Sequence, residues 1–140
     1  LMAIQNYSRV MHIESTVTGR LRSDLKPTDL VRAAFPAGTV SGAPKVRAMQ
    51  IIHDLEPEGR GPYSGAVGTI SFQGDVNTAI TIRTLWKRKN RVFLQAGAGI
   101  VADSDPRSEY KETLAKLQAV IEAVDLAESG ALGSVVLEDL

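Results

Sequence analysis

Apolar and polar residues alternate along this chain with two different periods, and the switches between them divide it into elements. From Val10 to Leu21 the period is two. His12, Glu14, Thr16 and Thr18 share one face, Met11, Ile13, Ser15 and Val17 the other, which predicts a strand that Gly19 ends or bulges. Lys26-Pro-Thr-Asp29 then announces a helix, with Thr28 as its expected cap and Leu30, Val31, Ala34 and Phe35 as its apolar side; Pro36 stops it. Beyond Pro36-Ala-Gly-Thr-Val-Ser-Gly-Ala-Pro-Lys45 a second helix is predicted from about Ala43 to Leu55. Ser41 is its expected cap, and Val46, Met49, Ile52 and Leu55 its buried side. Glu56-Pro-Glu-Gly-Arg-Gly-Pro62 carries only turn signals and reads as a loop. Period two resumes as a predicted three-stranded antiparallel meander: Tyr63–Phe72, Val76–Trp86 and Arg91–Val101, with turns at Gly74-Asp75 and Lys89-Asn90. On its middle strand Ala79, Thr81 and Arg83 point one way, Ile80, Ile82 and Trp86 the other. A last helix is predicted from near Asp105 to about Ala127.

The element order is therefore β-α-α-β-β-β-α. The expected fold class is α+β, a mainly antiparallel sheet with helices packed on one face. No internal boundary interrupts it: residues 1–128 read as one unit, and 129–140 as a flexible Gly-containing tail. Leu1 opens the sequence with no Met and no turn signal ahead of it.

Composition mostly removes possibilities. Lys+Arg and Asp+Glu are both 16, so the formal charge is zero and nothing favours nucleic acid or an anionic membrane. The absence of cysteine excludes disulfides, thiolate metal sites and thiol nucleophiles. No apolar run is long enough to span a bilayer, and no signal-peptide pattern opens the chain, so cytoplasmic residence is expected.

Candidate chemistry concentrates on the last helix and what precedes it. Glu109, Glu112 and Lys116 stand at i, i+3 and i+7 and share one stripe, distinct from the apolar stripe Tyr110, Leu114, Leu117, Ile121 and Val124. Beyond Lys116 the charged stripe turns to Ala119, Ala123 and Ala127. Two hard carboxylates beside a lysine suit a magnesium ion shared with an anionic substrate; a solvated charge pattern is the plainer alternative. The Gly38–Lys45 turn offers hydroxyls, backbone N–H groups and a lysine as an anion seat, or is simply a helix start. Arg83 amid small neighbours suits a carboxylate, from a ligand or from the protein itself. Gly97 and Gly99 in a strand imply close approach of the backbone to a ligand or a neighbouring helix. His12 is a candidate acid or base, or a strand histidine that merely hydrogen-bonds; Tyr63 either contacts a ligand or fills the core edge.

Taken in order, Val10-Met-His-Ile-Glu-Ser-Thr-Val-Thr-Gly-Arg-Leu21, Phe35-Pro-Ala-Gly-Thr-Val-Ser-Gly-Ala-Pro-Lys-Val-Arg-Ala-Met49, Ala79-Ile-Thr-Ile-Arg-Thr84, Gln95-Ala-Gly-Ala-Gly-Ile-Val101 and Ser104-Asp-Pro-Arg-Ser-Glu-Tyr-Lys-Glu-Thr-Leu-Ala-Lys116 resemble the chorismate-utilising enzymes. The resemblance runs unbroken from about Tyr7 to Ala127. The turn at Gly38–Lys45 is similar to that of the anthranilate-forming branch, whereas the aminodeoxychorismate-forming branch tends to carry Gly-Ser-Ile-Thr-Gly-Ala-Pro-Lys.

The resemblance implies a magnesium-dependent reaction of chorismate and ammonia, drawn from glutamine, to anthranilate and pyruvate. It implies a glutamine amidotransferase, separate or fused, as partner. Glu109 and Glu112 would be metal ligands, and Lys116, Gly97 and Gly99 would help hold the ring carboxylate. Arg83 and Tyr63 would receive the enolpyruvyl carboxylate, and His12 and Thr39 would be the catalytic groups near the ring. The resemblance covers only the C-terminal part of such a catalytic domain. The chain by itself is therefore expected to be inactive and, with open sheet edges, to self-associate. An aminodeoxychorismate synthase and a non-catalytic metabolite-binding module of the same fold are the alternatives.

Overall fold

The structure is a computed structural model that describes residues 2–6 and 11–130, with the side chains of Met11 and His12 outside the described part. β1 (Ala3–Asn6) pairs antiparallel with β2 (Met11–Glu14) in the register Ala3↔Glu14 to Asn6↔Met11. Three helices follow: α1 (Pro27–Ala34), α2 (Gly38–Ser41) and α3 (Lys45–Leu55). Two antiparallel hairpins come next, β3 (Ala66–Ile70) with β4 (Val76–Ile80), and β5 (Leu85–Arg88) with β6 (Arg91–Leu94). A long helix, α4 (Pro106–Glu128), ends the described chain.

Local chemistry accounts for these bounds. The β3–β4 turn closes through Ser71, whose N–H donates to Asp75 O at 2.8 Å and whose hydroxyl accepts from the Asp75 N–H at 3.0 Å. Gly74 supplies the left-handed φ of 97° that this turn requires. In the second hairpin Trp86 and Phe93 stand directly opposite each other, and their rings stack 4.1 Å apart at 9°. Asp105 caps α4, accepting from the Ser108 N–H at 2.9 Å and its hydroxyl at 2.8 Å.

The α+β class and the antiparallel pairing agree with expectation, and the architecture is a fragment of a larger fold. Several details differ. The strand predicted from Val10 to Leu21 ends at Glu14, and its partner β1 was not anticipated, because four residues are too few to show a period. Thr28 does not cap α1; Asp29 accepts the Lys26 N–H at 2.9 Å instead. Ser41 does not cap α3, since its hydroxyl turns back to donate to Ala37 O at 2.9 Å and closes the single turn of α2.

The meander is the largest correction. It is split into two two-stranded sheets, because the chain kinks between Thr81 and Thr84. Ile82 N–H folds back to Ile80 O at 2.9 Å, the Thr84 hydroxyl donates to Ile82 O at 2.8 Å, and Arg83 takes a left-handed φ of 53°. A ladder cannot continue through such a residue. Arg83 is thus at a kink, not mid-strand. The third meander strand likewise ends at Leu94, leaving Gly97 and Gly99 in the irregular chain beyond it.

No hydrophobic side chain among the described residues is buried. The apolar stripe of α4, expected to face a core, leaves Tyr110, Leu114 and Ile121 exposed, and Val46 and Leu55 of α3 are 73% and 76% exposed. What is buried is polar: Ser41, Ser64 and Thr81. The part of the predicted tail from 131 to 140 and the strand residue Val10 lie outside the described residues.

Candidate functional site

A cavity of about 750 Å³, the size of a small-molecule site, opens where five segments converge. Thr39 reaches it from α2, Tyr63 from the turn before β3, and Arg83 from the kink after β4. Gly97 and Gly99 line it from the chain after β6, and Lys116 from α4. Six residues singled out in the sequence at widely separated positions therefore share one wall.

Within that wall the contacts are specific. Lys116 Nζ donates to Gly97 O at 2.9 Å and pairs with Glu112 Oε1 at 2.5 Å, so one ammonium ties α4 to the glycine-containing segment after β6. Gly97 leaves room for Tyr63: a Cβ there would lie 2.9 Å from the Tyr63 hydroxyl, so the phenol would have to shift. A Cβ on Gly99 would meet nothing within 4 Å and would project into open space. Arg83 carries its guanidinium on strained backbone, a feature that tends to collect at ligand sites.

The anion seat read into Gly38–Lys45 is used internally. Lys45 Nζ donates to Pro36 O and, at 3.3 Å, to the Ser41 hydroxyl. α2 is a single turn, and α3 begins only at Lys45, after Pro44.

Glu109 and Glu112 do not line the cavity. They stand on α4, in the two turns before Lys116. Glu109 is half-buried and, among the described residues, its carboxylate accepts no hydrogen bond or ion pair, whereas Glu112 is held by Lys116. No cluster of three or more His, Cys, Asp or Glu suited to a metal gathers among the described residues. Two hard carboxylates one turn apart nonetheless fit one side of a magnesium shell, which ordinarily takes few protein ligands. His12 lies in β2 opposite Gln5, and its side chain is outside the described part.

Sequence reasoning missed Arg60. Placed in a loop by its Gly and Pro neighbours, it makes the densest set of side-chain hydrogen bonds in the described structure. Nε donates to Glu56 Oε2 at 2.8 Å, Nη2 to Glu56 Oε1 at 2.6 Å, and Nη1 to Val40 O at 2.7 Å and Ser64 Oγ at 3.1 Å. Its guanidinium carbon also lies 5.7 Å from the centre of the Tyr63 ring. The hydrogen bond to Arg60 holds the Glu56 carboxyl below its usual range, against the opposing effect of partial burial. The only signal available in sequence was the i, i+4 spacing of Glu56 and Arg60.

The cavity gathers cations, a phenol and exposed backbone around a small volume, a lining whose chemistry suits a compact anionic molecule. The chain belongs to the chorismate binding enzyme family, whose model matches residues 1–122. It is similar to anthranilate synthase component 1 of Synechocystis sp., 58% identical over 129 residues that make up 89% of this chain and 25% of that protein. It is equally similar to the Aquifex aeolicus protein of the same name, 58% identical over 127 residues, 91% of this chain and 26% of the relative. The crystal structure of anthranilate synthase component I from Streptococcus pneumoniae superposes with a TM-score of 0.80 at 50% identity, over 82% of this chain and 26% of that one. The chain thus spans about a quarter of the length of the curated relatives it matches.

Proposed function

We propose that this chain supplies one wall of the chorismate site of an anthranilate synthase, acting as the C-terminal portion of a longer catalytic domain that forms anthranilate and pyruvate from chorismate and ammonia. The observation that carries the reading is the convergence of Thr39, Tyr63, Arg83, Gly97, Gly99 and Lys116 on one cavity. Similarity to proteins named for that activity supports it. A glutamine amidotransferase, fused or separate, is the ammonia source in this reading, and the relatives' designation as a component accords with a second component. No helix of the described residues is long and apolar enough to cross a membrane.

Chorismate is a dianion at neutral pH, and the proposed roles follow from that charge. Lys116, already oriented by Gly97 O, offers its remaining N–H to the ring carboxylate, with the backbone at Gly97–Gly99 alongside. Open space at Gly99 lets that backbone approach the ligand. Arg83 and Tyr63 receive the enolpyruvyl carboxylate from the opposite edge, a guanidinium being suited to bidentate contact. Thr39 lies toward the ring from α2, and His12 is the proton donor when pyruvate leaves. Glu109 and Glu112 would hold magnesium, which would supply positive charge to offset the substrate's carboxylate and developing negative charge. The chain's remaining contribution is exclusion of water, with Ile82 and Leu117 lining the cavity between the polar groups.

The lack of any buried hydrophobic residue among those described supports incompleteness, because a self-sufficient domain of this length buries an apolar core. The test is the chorismate-dependent activity of the full-length protein bearing Arg83→Gln. A rise in KM for chorismate of about tenfold or more is expected, the loss of a charge-assisted contact being worth about 1.5–3 kcal/mol. An unchanged KM overturns the assignment.

A further inference from the structure

We infer that Arg60 is the positioning residue of this site, fixing Tyr63 and the Arg83 kink in the geometry that receives the substrate; the inference rests on the proposed chorismate site. Arg60 also borders the cavity, but its donors are engaged elsewhere. A guanidinium has five N–H groups. Nε and Nη2 donate to Glu56, and Nη1 donates to both Val40 O and Ser64 Oγ, which leaves one Nη2 hydrogen. A group so committed cannot bind a carboxylate as a fork, and acts through what it holds.

What it holds is the frame of the cavity. Val40 follows Thr39 in α2, so the bond to Val40 O ties that turn to the loop. Ser64 is buried, sits at φ 67° and directly follows Tyr63. Its N–H donates to Thr81 O at 3.0 Å, and Thr81 N–H donates to Gly65 O at 2.9 Å, extending the β3–β4 ladder up to the kink that carries Arg83. The buried residues of the described structure are therefore this knot and its neighbour Ser41. Above it the Tyr63 ring lies beside the guanidinium, with its hydroxyl directed at Gly97. Side-chain exposures of 23% for Arg60 and 34% for Glu56 show a clasp half out of water, where a bidentate pair is more than a surface contact. Arg60 thus connects α2, the Tyr63 turn and the Arg83 kink, which share no continuous secondary structure.

The test uses the full-length enzyme carrying these residues, with Arg60→Gln, Arg60→Lys and Arg60→Gln combined with Tyr63→Ala. Arg60→Gln should raise KM for chorismate about tenfold while kcat stays within about threefold, because geometry and not chemistry is lost. Arg60→Lys keeps the charge without the fork, and should raise KM by a smaller factor. It carries the test if the glutamine variant does not fold. In the Tyr63→Ala background the Arg60→Gln effect should shrink to about threefold or less, since most of its target is gone. An unchanged KM accompanied only by a lower melting temperature makes Arg60 a purely structural clasp and overturns the inference. So does a full tenfold effect persisting without Tyr63. If the wild-type enzyme does not consume chorismate at all, the functional reading itself fails, an outcome these variants do not mimic.

Discussion

The contact between Gly97 and Tyr63 gives the sharpest handle on the site. An alanine at 97 would place its Cβ 2.9 Å from the Tyr63 hydroxyl and 3.9 Å from the ring carbon bearing it. An unstrained carbon–oxygen contact is about 3.4 Å, so the phenol must move by roughly half an ångström. Overpacking of this kind costs about 1–3 kcal/mol, and the end of a side chain yields more easily than backbone, so the low end applies. About 1 kcal/mol expressed in the binding geometry of Tyr63 is about fivefold in KM for chorismate. The lysine bond to Gly97 O survives, because it uses the backbone carbonyl. In a Tyr63→Phe background the nearest atom becomes the ring carbon at an ordinary contact distance, and the Gly97→Ala penalty should vanish. Steady-state kinetics of the four members of this cycle in the full-length enzyme measure it directly. An equal penalty with Phe at 63, or none with Tyr, refutes the geometry. Gly99→Ala meets nothing in the free protein, so it should leave the melting temperature unchanged and raise KM alone.

Three further outcomes follow from the same geometry. Glu109→Gln and Glu112→Gln should each raise the magnesium concentration needed for half-maximal activity about tenfold or more, measured with chorismate saturating, while Lys111→Gln on another face of α4 should not. The Arg60 clasp should be acid-labile with a defined sign. Glu56 is depressed below its ordinary carboxyl value in the folded state, so its contribution is complete above that value and is lost as pH falls through the lower folded one. Thermal denaturation between about pH 6 and pH 3 should show a limb that Glu56→Gln removes; the same slope in the variant would place the titration elsewhere. The isolated 140-residue chain should self-associate through its exposed apolar faces, and light scattering showing a monodisperse monomer would contradict this.

Much of the fold was legible because its elements carry strong local signals. The Asp105–Ser108 cap with Pro106 placed the start of α4, and the Gly74 and Lys89 turns marked both hairpins. The site was legible as a set of chemically apt residues, and the structure added the cavity that brings six of them together. What stayed hidden is backbone conformation and the choice of partner by individual polar groups. Period-two patterning ran through Thr81–Thr84, yet the kink there is set by backbone bonds and by Arg83 at a left-handed φ, which an arginine does not announce. Arg60 was hidden because its Glu56 and Ser64 partners flank it in a loop, where an i, i+4 spacing carries little weight, and its third partner, Val40 O, lies 20 residues away on α2. Ser41 was misread as a helix cap because the same hydroxyl can serve the backbone behind it as readily as the one ahead.

On the proposed function this chain is one wall of a chorismate site, and the other wall comes from the portion of the relatives that it does not match. Formation of anthranilate, followed by its fluorescence, tests it with chorismate, ammonium and magnesium supplied to the isolated chain and to the full-length protein. No product is expected from the isolated chain, and steady turnover from the full-length protein. Anthranilate from the isolated chain, or none from the full-length protein, would contradict it.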